Sequence, residues 1–368
     1  AIPASKAEEI RSGGAALQRG ISPGYDPAVR RGWKGTIMVS QVLTIENGHN
    51  CGTASVLIER LRGLPAHLTA KIKGQDHALP RICSVLMRGE LGFAHPRRPR
   101  GSFLFVGPTG VGKTETTNVF TSYLGDGAPP IRFDMSEYQL QSSVDKLIGE
   151  NRNDPGLLGR AIHGRKSGTL LFDEIEKAHA LVLDLFLQIL EDGRIMLATG
   201  ETVDVRPFYV VCTSNIGSEE TMRMENAPFA SVERTVLMRV RERLRPELVG
   251  RVSEIVVFAR LGYEVQREIC SDLIGAELGR LRELGHQLDV DDGALEFLVR
   301  EGYHRTLGAR PMRGAVERHI QDAVVGEVLA GGCGSGRLGA DPLGARLVLS
   351  DPAQPVARAS SLAEVCRA

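Results

Sequence analysis

The run Gly107-Pro108-Thr109-Gly110-Val111-Gly112-Lys113-Thr114 sets glycines at close spacing ahead of an ammonium and a hydroxyl. Glycines so placed let the backbone wrap tightly and aim its N–H groups at an anion. The lysine can then reach the β- and γ-phosphates of a nucleotide, and the threonine hydroxyl can ligate Mg²⁺. Gly107, Pro108, Thr109, Gly110, Val111 and Gly112 would form the cradle, Lys113 the counter-charge and Thr114 a metal ligand. A structural turn that merely ends in Lys-Thr would need no particular flanks. Here residues 102–106 read as a buried apolar strand, and a helical pattern opens at Lys113 and runs to about Leu124. The free N–H groups and positive dipole end of that helix face the same anion.

A second group of residues supplies the chemistry that a bound phosphate would need. Asp173 and Glu174 close an apolar run, where charge is costly unless it has a task. In a phosphate-binding site of this type the first carboxylate holds Mg²⁺ through its water shell, and the second polarises the attacking water. Asn215 ends the next strand-like run, where a neutral amide can orient that water without adding charge. Two arginines need separate roles. Phosphoryl transfer spreads negative charge over the γ-phosphoryl, so Arg251, in Arg245-Pro246-Glu247-Leu248-Val249-Gly250-Arg251, is a candidate to stabilise it from a neighbouring subunit. Arg310, in Gly308-Ala309-Arg310-Pro311, opens a long helical pattern and can sense the nucleotide of its own chain. For either arginine taken alone, a surface ion pair is the default.

The elements that must position these residues follow from periodicity. Strands read at 102–106, 131–134, 169–174 and 208–213, alternating with helices at 77–90, 113–124 and 180–190. That alternation indicates a parallel α/β sheet with its ligand at the carboxyl ends of the strands. Beyond Phe258 the strand signal fades. Helices are expected at 265–284, 292–300 and 311–329, with short strands at 287–290 and 345–349. The expected organisation is a segment 1–66 with little pattern, a large α/β domain 67–259, a small helical lid 260–335 and a tail 336–368. Within the first segment, residues 1–27 have the composition of a flexible stretch, and 36–45 are rich enough in β-branched residues for one or two strands. Arg30-Arg31-Gly32-Trp33-Lys34 reads as a solvated surface cluster.

Composition bounds the partners. Lys+Arg and Asp+Glu are each 45 in the 368 residues, so overall charge gives no drive toward nucleic acid or a membrane surface. No apolar run is long enough for a bilayer and no secretory leader is legible, which makes the cytoplasm the expected location. The cysteines are scattered without a CxxC pair, which argues against a zinc cluster or disulfide framework. Cys83, Cys212 and Cys270 sit in apolar contexts and read as reduced core residues.

Taken together these stretches resemble the AAA+ superfamily, and within it the second ATPase module of the Clp unfoldases and disaggregases. The resemblance is carried by Gly74-Gln75-Asp76, FLFVGPTGVGKTE at 103–115, IRFDMSEY at 131–138, LFDEIEKAH at 171–179, LQILEDGR at 187–194, TSNIGS at 213–218, RPELVGRVSEIVVF at 245–258 and GARPM at 308–312. It implies a P-loop parallel sheet flanked by helices, followed by a small, mostly helical lid, and an enzyme that hydrolyses ATP with Mg²⁺. Lys113 and Thr114 are then Walker A residues, Asp173 and Glu174 Walker B, Asn215 sensor one, Arg251 the arginine finger and Arg310 sensor two, with Ile72 and Gly74 flanking the adenine. The implied partners are further copies of the chain in a ring, a hexamer, and a protein substrate. The sequence departs from the family in two places. No first ATPase ring or family N-terminal domain is legible before residue 67. After Leu147-Ile148-Gly149 the family's Pro-Pro-Gly-Tyr-Val-Gly, whose aromatic grips substrate, is replaced by Glu150-Asn151-Arg152-Asn153-Asp154-Pro155-Gly156-Leu157-Leu158-Gly159. The missing aromatic opens an alternative, an ATP-dependent scaffold or switch that does not thread polypeptide. A protease-docking tripeptide is not legible either.

Overall fold

The computed structural model describes residues 51–125, 127–341 and 343–350. The features expected at 1–45 lie outside the described residues. The described residues from 58 onward form one compact unit, and the account below concerns that unit.

Five strands make one parallel sheet: β1 (Gly101–Val106), β2 (Ile131–Asp134), β3 (Gly168–Asp173), β6 (Phe208–Ser214) and β7 (Glu254–Val257). Their spatial order is β2-β3-β6-β1-β7, with Leu104 opposite Cys212 and Phe172 also opposite Cys212. All six residues of β1 and all seven of β6 are buried, as expected for central strands covered by helices on both faces. Side chains alternate between two cores. Phe103 and Phe105 pack with Phe120, Leu171 and Val211 on one face. Leu104 and Val106 pack with Phe172, Phe186 and Val210 on the other. Each fully buried phenylalanine contributes roughly 1.5–3 kcal/mol, so these ladders fix the register that aligns the strand ends.

The first face carries α1 (Cys51–Lys71), α2 (Leu79–Glu90) and α3 (Lys113–Leu124); the second includes α6 (Ala180–Asp192), α8 (Phe229–Arg243) and α9 (Pro246–Arg251). Between β2 and β3 lie the short α4 (Ser143–Ile148) and α5 (Gly156–Ile162). A two-stranded hairpin, β4 (Arg194–Met196) with β5 (Thr202–Asp204), precedes β6, and α7 (Ser218–Arg223) follows it. The four strands read from the sequence form with ends shifted by one residue at most. The fifth, β7, and helices α1 and α8 were not legible.

The chain then builds a second core from α10 (Tyr263–Glu283), α11 (Asp292–Gly302) and α12 (Arg310–Leu329) around Cys270, Phe297, Leu298, Met312 and Ile320. Asp291 caps α11 by accepting from Ala294 N at 2.7 Å. The expected short strand appears as β8 (Leu288–Val290). It pairs with β9 (Gly336–Ala340), which pairs in turn with β10 (Leu347–Ser350). The buried Cys83, Cys212 and Cys270 are core thiols, pushed by desolvation up to about 11, 12 and 11. They remain protonated and inert at neutral pH.

Candidate active site

The carboxyl ends of three adjacent strands, β3, β6 and β1, converge on one edge of the sheet. After β1 the chain turns through Gly107–Gly112 into α3. Two glycines here are steric necessities. A Cβ on Gly107 would stand 2.7 Å from Phe258 O, and one on Gly110 (φ 74°) would overlap Leu307 O. Gly112, also left-handed at φ 101°, precedes α3 with no side-chain cap, leaving the first-turn N–H groups for an anion.

Lys113 opens that helix and is only 8% exposed. Its ammonium donates to Gly107 O, to Pro108 O at 2.9 Å and to Asn215 Oδ1 at 2.9 Å. Burial pulls its pKa down to about 8, although the carboxylates Glu176, Asp173 and Glu174 act to raise it. Desolvation wins because none of those carboxylates contacts the ammonium directly.

Asn215 is the hub of the site. Its Oδ1 accepts from Lys113 and, at 3.4 Å, from Thr109 Oγ1, while its Nδ2 donates to Glu174 Oε1 at 3.1 Å. A lysine donor on one side and a carboxylate on the other leave only one orientation for the amide. Its backbone is fixed too: the N–H donates to Glu176 Oε1 at 3.0 Å, and the carbonyl accepts from Ser218.

Asp173 ends β3 and is 5% exposed. Its Oδ1 accepts from Thr213 Oγ1 at 2.7 Å and from Thr114 Oγ1 at 3.4 Å. Oδ2 has no hydrogen-bond partner. Arg132 Nε lies 2.6 Å from it, close enough for an ion pair, but its N–H is not aligned on the oxygen. Glu174 stands in the left-handed region (φ 57°, ψ 51°) and is the one non-glycine residue with positive φ among those described. Such a conformation costs an L-residue about 1–2 kcal/mol. It is braced by Thr213 Oγ1, which accepts from Glu174 N at 3.2 Å, and by the Asn215 amide.

A divalent cation fits these residues. A buried carboxylate oxygen without a hydrogen bond sits beside a threonine hydroxyl at the anion cradle. Magnesium carried by a nucleotide needs only one or two protein oxygens, Thr114 and Asp173 here. It would supply charge neutralisation at the β- and γ-phosphates.

Of the two residues expected to flank an adenine, Ile72 is buried against the same core as Leu261. Gly74 (φ 70°) lies so close to Val265 that a Cβ would sit 2.8 Å from its methyl. Gln75, fully buried, donates to Val111 O at 3.2 Å and to Ala259 O at 2.9 Å and accepts from Ala259 N. It thereby ties the cradle to the segment that joins β7 to the next helix. The lid closes the far side: Ala309 N donates to Gly110 O at 3.1 Å, which brings the exposed Arg310 to the phosphate loop. Arg251 is not brought to this edge. It ends α9, before β7, and pairs with Glu191 at 2.7 Å. Glu254 begins β7, and Phe258 N bonds Val106 O beside the cradle, a rise of about 13 Å along the strand.

Gln75, Thr213, Glu176 and Arg132 were not among the expected site residues. Gln75 stood inside a quoted motif, and Arg132 inside another. Glu176 and Thr213 likewise stood inside the quoted LFDEIEKAH and TSNIGS stretches, without a role of their own.

Residues 98–255 match the family model of an AAA domain (Cdc48 subfamily), and residues 261–337 match that of the C-terminal, D2-small domain of ClpB protein. The chain belongs to the Clp-type AAA+ ATPases. It is 40% identical over 270 residues to Heat shock protein 100 of Trypanosoma brucei brucei, covering 71% of this chain and 31% of that protein. Against an ATP-dependent Clp protease ATP-binding subunit ClpA homolog of Porphyra purpurea it is 38% identical over 291 residues, covering 74% and 35%. Against Chaperone protein ClpB of Brucella suis biovar 1 it is 34% identical over 336 residues, covering 88% and 37%. This AAA+ chain thus spans about a third of the length of the curated relatives it matches. Among the described residues, no helix is long and apolar enough to cross a membrane.

Proposed function

We propose that this nucleotide-binding ATPase hydrolyses ATP with Mg²⁺ in a ring of copies, a hexamer as in the family resemblance, and uses the cycle to remodel a protein partner. The observation that carries this reading is the Asn215 amide joining Lys113 to Glu174 at the carboxyl edge of the sheet, while Arg251 stands toward the opposite edge. In this reading Glu174 acts as general base, and the amide bonded to its Oε1 keeps the carboxylate turned toward the incoming water. Lys113, the α3 N-terminus and Arg310 bind and orient the phosphates. Thr114 and Asp173 would hold the metal. Arg251 then completes the site of a neighbouring copy, which makes a ring a chemical requirement. Arg251→Ala is expected to leave nucleotide affinity within about threefold and to cut turnover about 10³-fold or more. Full-rate hydrolysis by a strictly monomeric preparation would refute the ring.

A second reading, an ATP-driven scaffold without threading, has its own support. The turn replacing the aromatic segment is short and closed on itself. Asp154 Oδ1 accepts from Gly156 N at 3.0 Å and from Arg160 Nη2 at 2.7 Å, and Asn151 Oδ1 accepts from Asn153 N at 2.9 Å. Leu158 is fully buried, and Leu157, exposed in the first turn of α5, offers a passing chain less contact area and a more flexible side chain than a large aromatic does. Weak unfolding of stable substrates is therefore expected. A stably folded reporter with an unstructured tail decides: ATP-dependent loss of its fold at a rate near turnover would favour threading.

A further inference from the structure

Arg132 lies on β2, the edge strand beside β3, and has no part in the chemistry above. The register sets Arg132 opposite Leu171 and Asp134 opposite Asp173. Two carboxylates therefore end neighbouring strands at the same level, and the guanidinium rises from two residues earlier on the same face. Its Nε stands 2.6 Å from Asp173 Oδ2. That oxygen is the one not engaged by Thr213 or Thr114. The exposure of the partners is unequal. The Arg132 side chain is 57% exposed and that of Asp173 only 7%, so the arginine can swing into water at little cost while the carboxylate stays. Asp134, which also feels the Arg132 charge, offers the guanidinium a second carboxylate when it leaves.

We propose that Arg132 is a positioning residue that holds the Walker B carboxylate by its free oxygen and yields that oxygen to the divalent cation, thereby setting the metal concentration this ATPase needs. The inference rests on the reading of Asp173 as the metal carboxylate. A guanidinium and a hydrated divalent cation drawn to the same carboxylate oxygen repel and crowd one another, so metal binding includes the work of moving the guanidinium aside. An exposed partner makes that work modest, about threefold to tenfold in metal affinity. The arrangement also keeps a buried carboxylate compensated whenever metal is absent.

The test is a Mn²⁺ titration of the full chain saturated with a non-hydrolysable ATP analogue, with free Mn²⁺ read by electron paramagnetic resonance. Arg132→Gln is expected to bind Mn²⁺ about threefold to tenfold more tightly, and Arg132→Lys, which restores a cation, to return toward the parent value. Asp173→Asn should weaken Mn²⁺ at least about tenfold with or without the Arg132 change. If Arg132→Gln binds Mn²⁺ equally or less tightly while Asp173→Asn weakens it, the displacement idea is wrong and the site reading stands. If Asp173→Asn has no effect on Mn²⁺, the site reading fails and this inference goes with it.

Discussion

Truncating Asn215 to alanine probes the hub of the site. The side chain makes a hydrogen bond to each of two ionised groups, Lys113 and Glu174. Hydrogen bonds to charged groups are worth roughly 1.5–3 kcal/mol each, but only the part that differs between ground and transition state reaches the rate. The Lys113 contact is largely a ground-state one, because Pro108 O and Gly107 O remain to hold the ammonium. The Glu174 contact orients the base at the moment of attack; a positioned general base contributes about 10²–10⁴ in rate, of which losing the orientation should remove about 10²–10³. The fold should tolerate the change, since the backbone bonds from Asn215 to Glu176 and Ser218 survive. Single-turnover ATP cleavage and titration with a fluorescent nucleotide analogue separate the two effects. The expected outcome is a cleavage rate down about 10²–10³-fold with affinity changed less than about tenfold. A cleavage rate within about threefold of the parent, or a loss of affinity as large as the loss of rate, would refute the assignment.

Lys113 gives a pH dependence. Its folded pKa of about 8 lies below the ordinary 10.5, so between those values the free folded protein holds fewer protons than the unfolded chain. Stability of the nucleotide-free protein should therefore rise with pH from this group across that window. Nucleotide affinity should fall above pH 8, because the phosphates require the ammonium, and calorimetry in buffers of different ionisation enthalpy should show proton uptake on binding. Gly308→Ala tests the lid. That residue has φ 58°, and a Cβ there would stand 2.5 Å from Gly110 O. Nucleotide affinity and melting temperature should both fall, the latter by an equivalent of about 1–3 kcal/mol; an unchanged affinity would detach the lid loop from binding.

Local chemistry made the cradle, the two acidic strand-end residues and Asn215 legible, because glycine conformation, strand burial and helix start are written in consecutive residues. What depends on sheet order was not. Arg132 and Asp173 meet only because β2 and β3 are neighbours, and Gln75 reaches Ala259 across the whole α/β domain. Strand β7 was missed because its four residues begin with a charge and follow a helix. Helix α1 was missed because Gly63 and Pro65 interrupt its local signal. Its cause is tertiary: Gly63 makes room for the Tyr123 hydroxyl, which donates to Arg60 O at 2.8 Å, and His67 packs on the same ring.

The claim that Glu174 of one copy and Arg251 of another share each site is tested most directly by mixing two inactive variants, Glu174→Gln and Arg251→Ala. Where an Arg251→Ala copy, with its Glu174 intact, meets a Glu174→Gln copy, with its Arg251 intact, a complete site is restored. Random assembly at equal ratio should restore about one quarter of the interfaces, and so about one quarter of the parent ATPase rate. A mixture no more active than its two components measured separately would contradict the shared site.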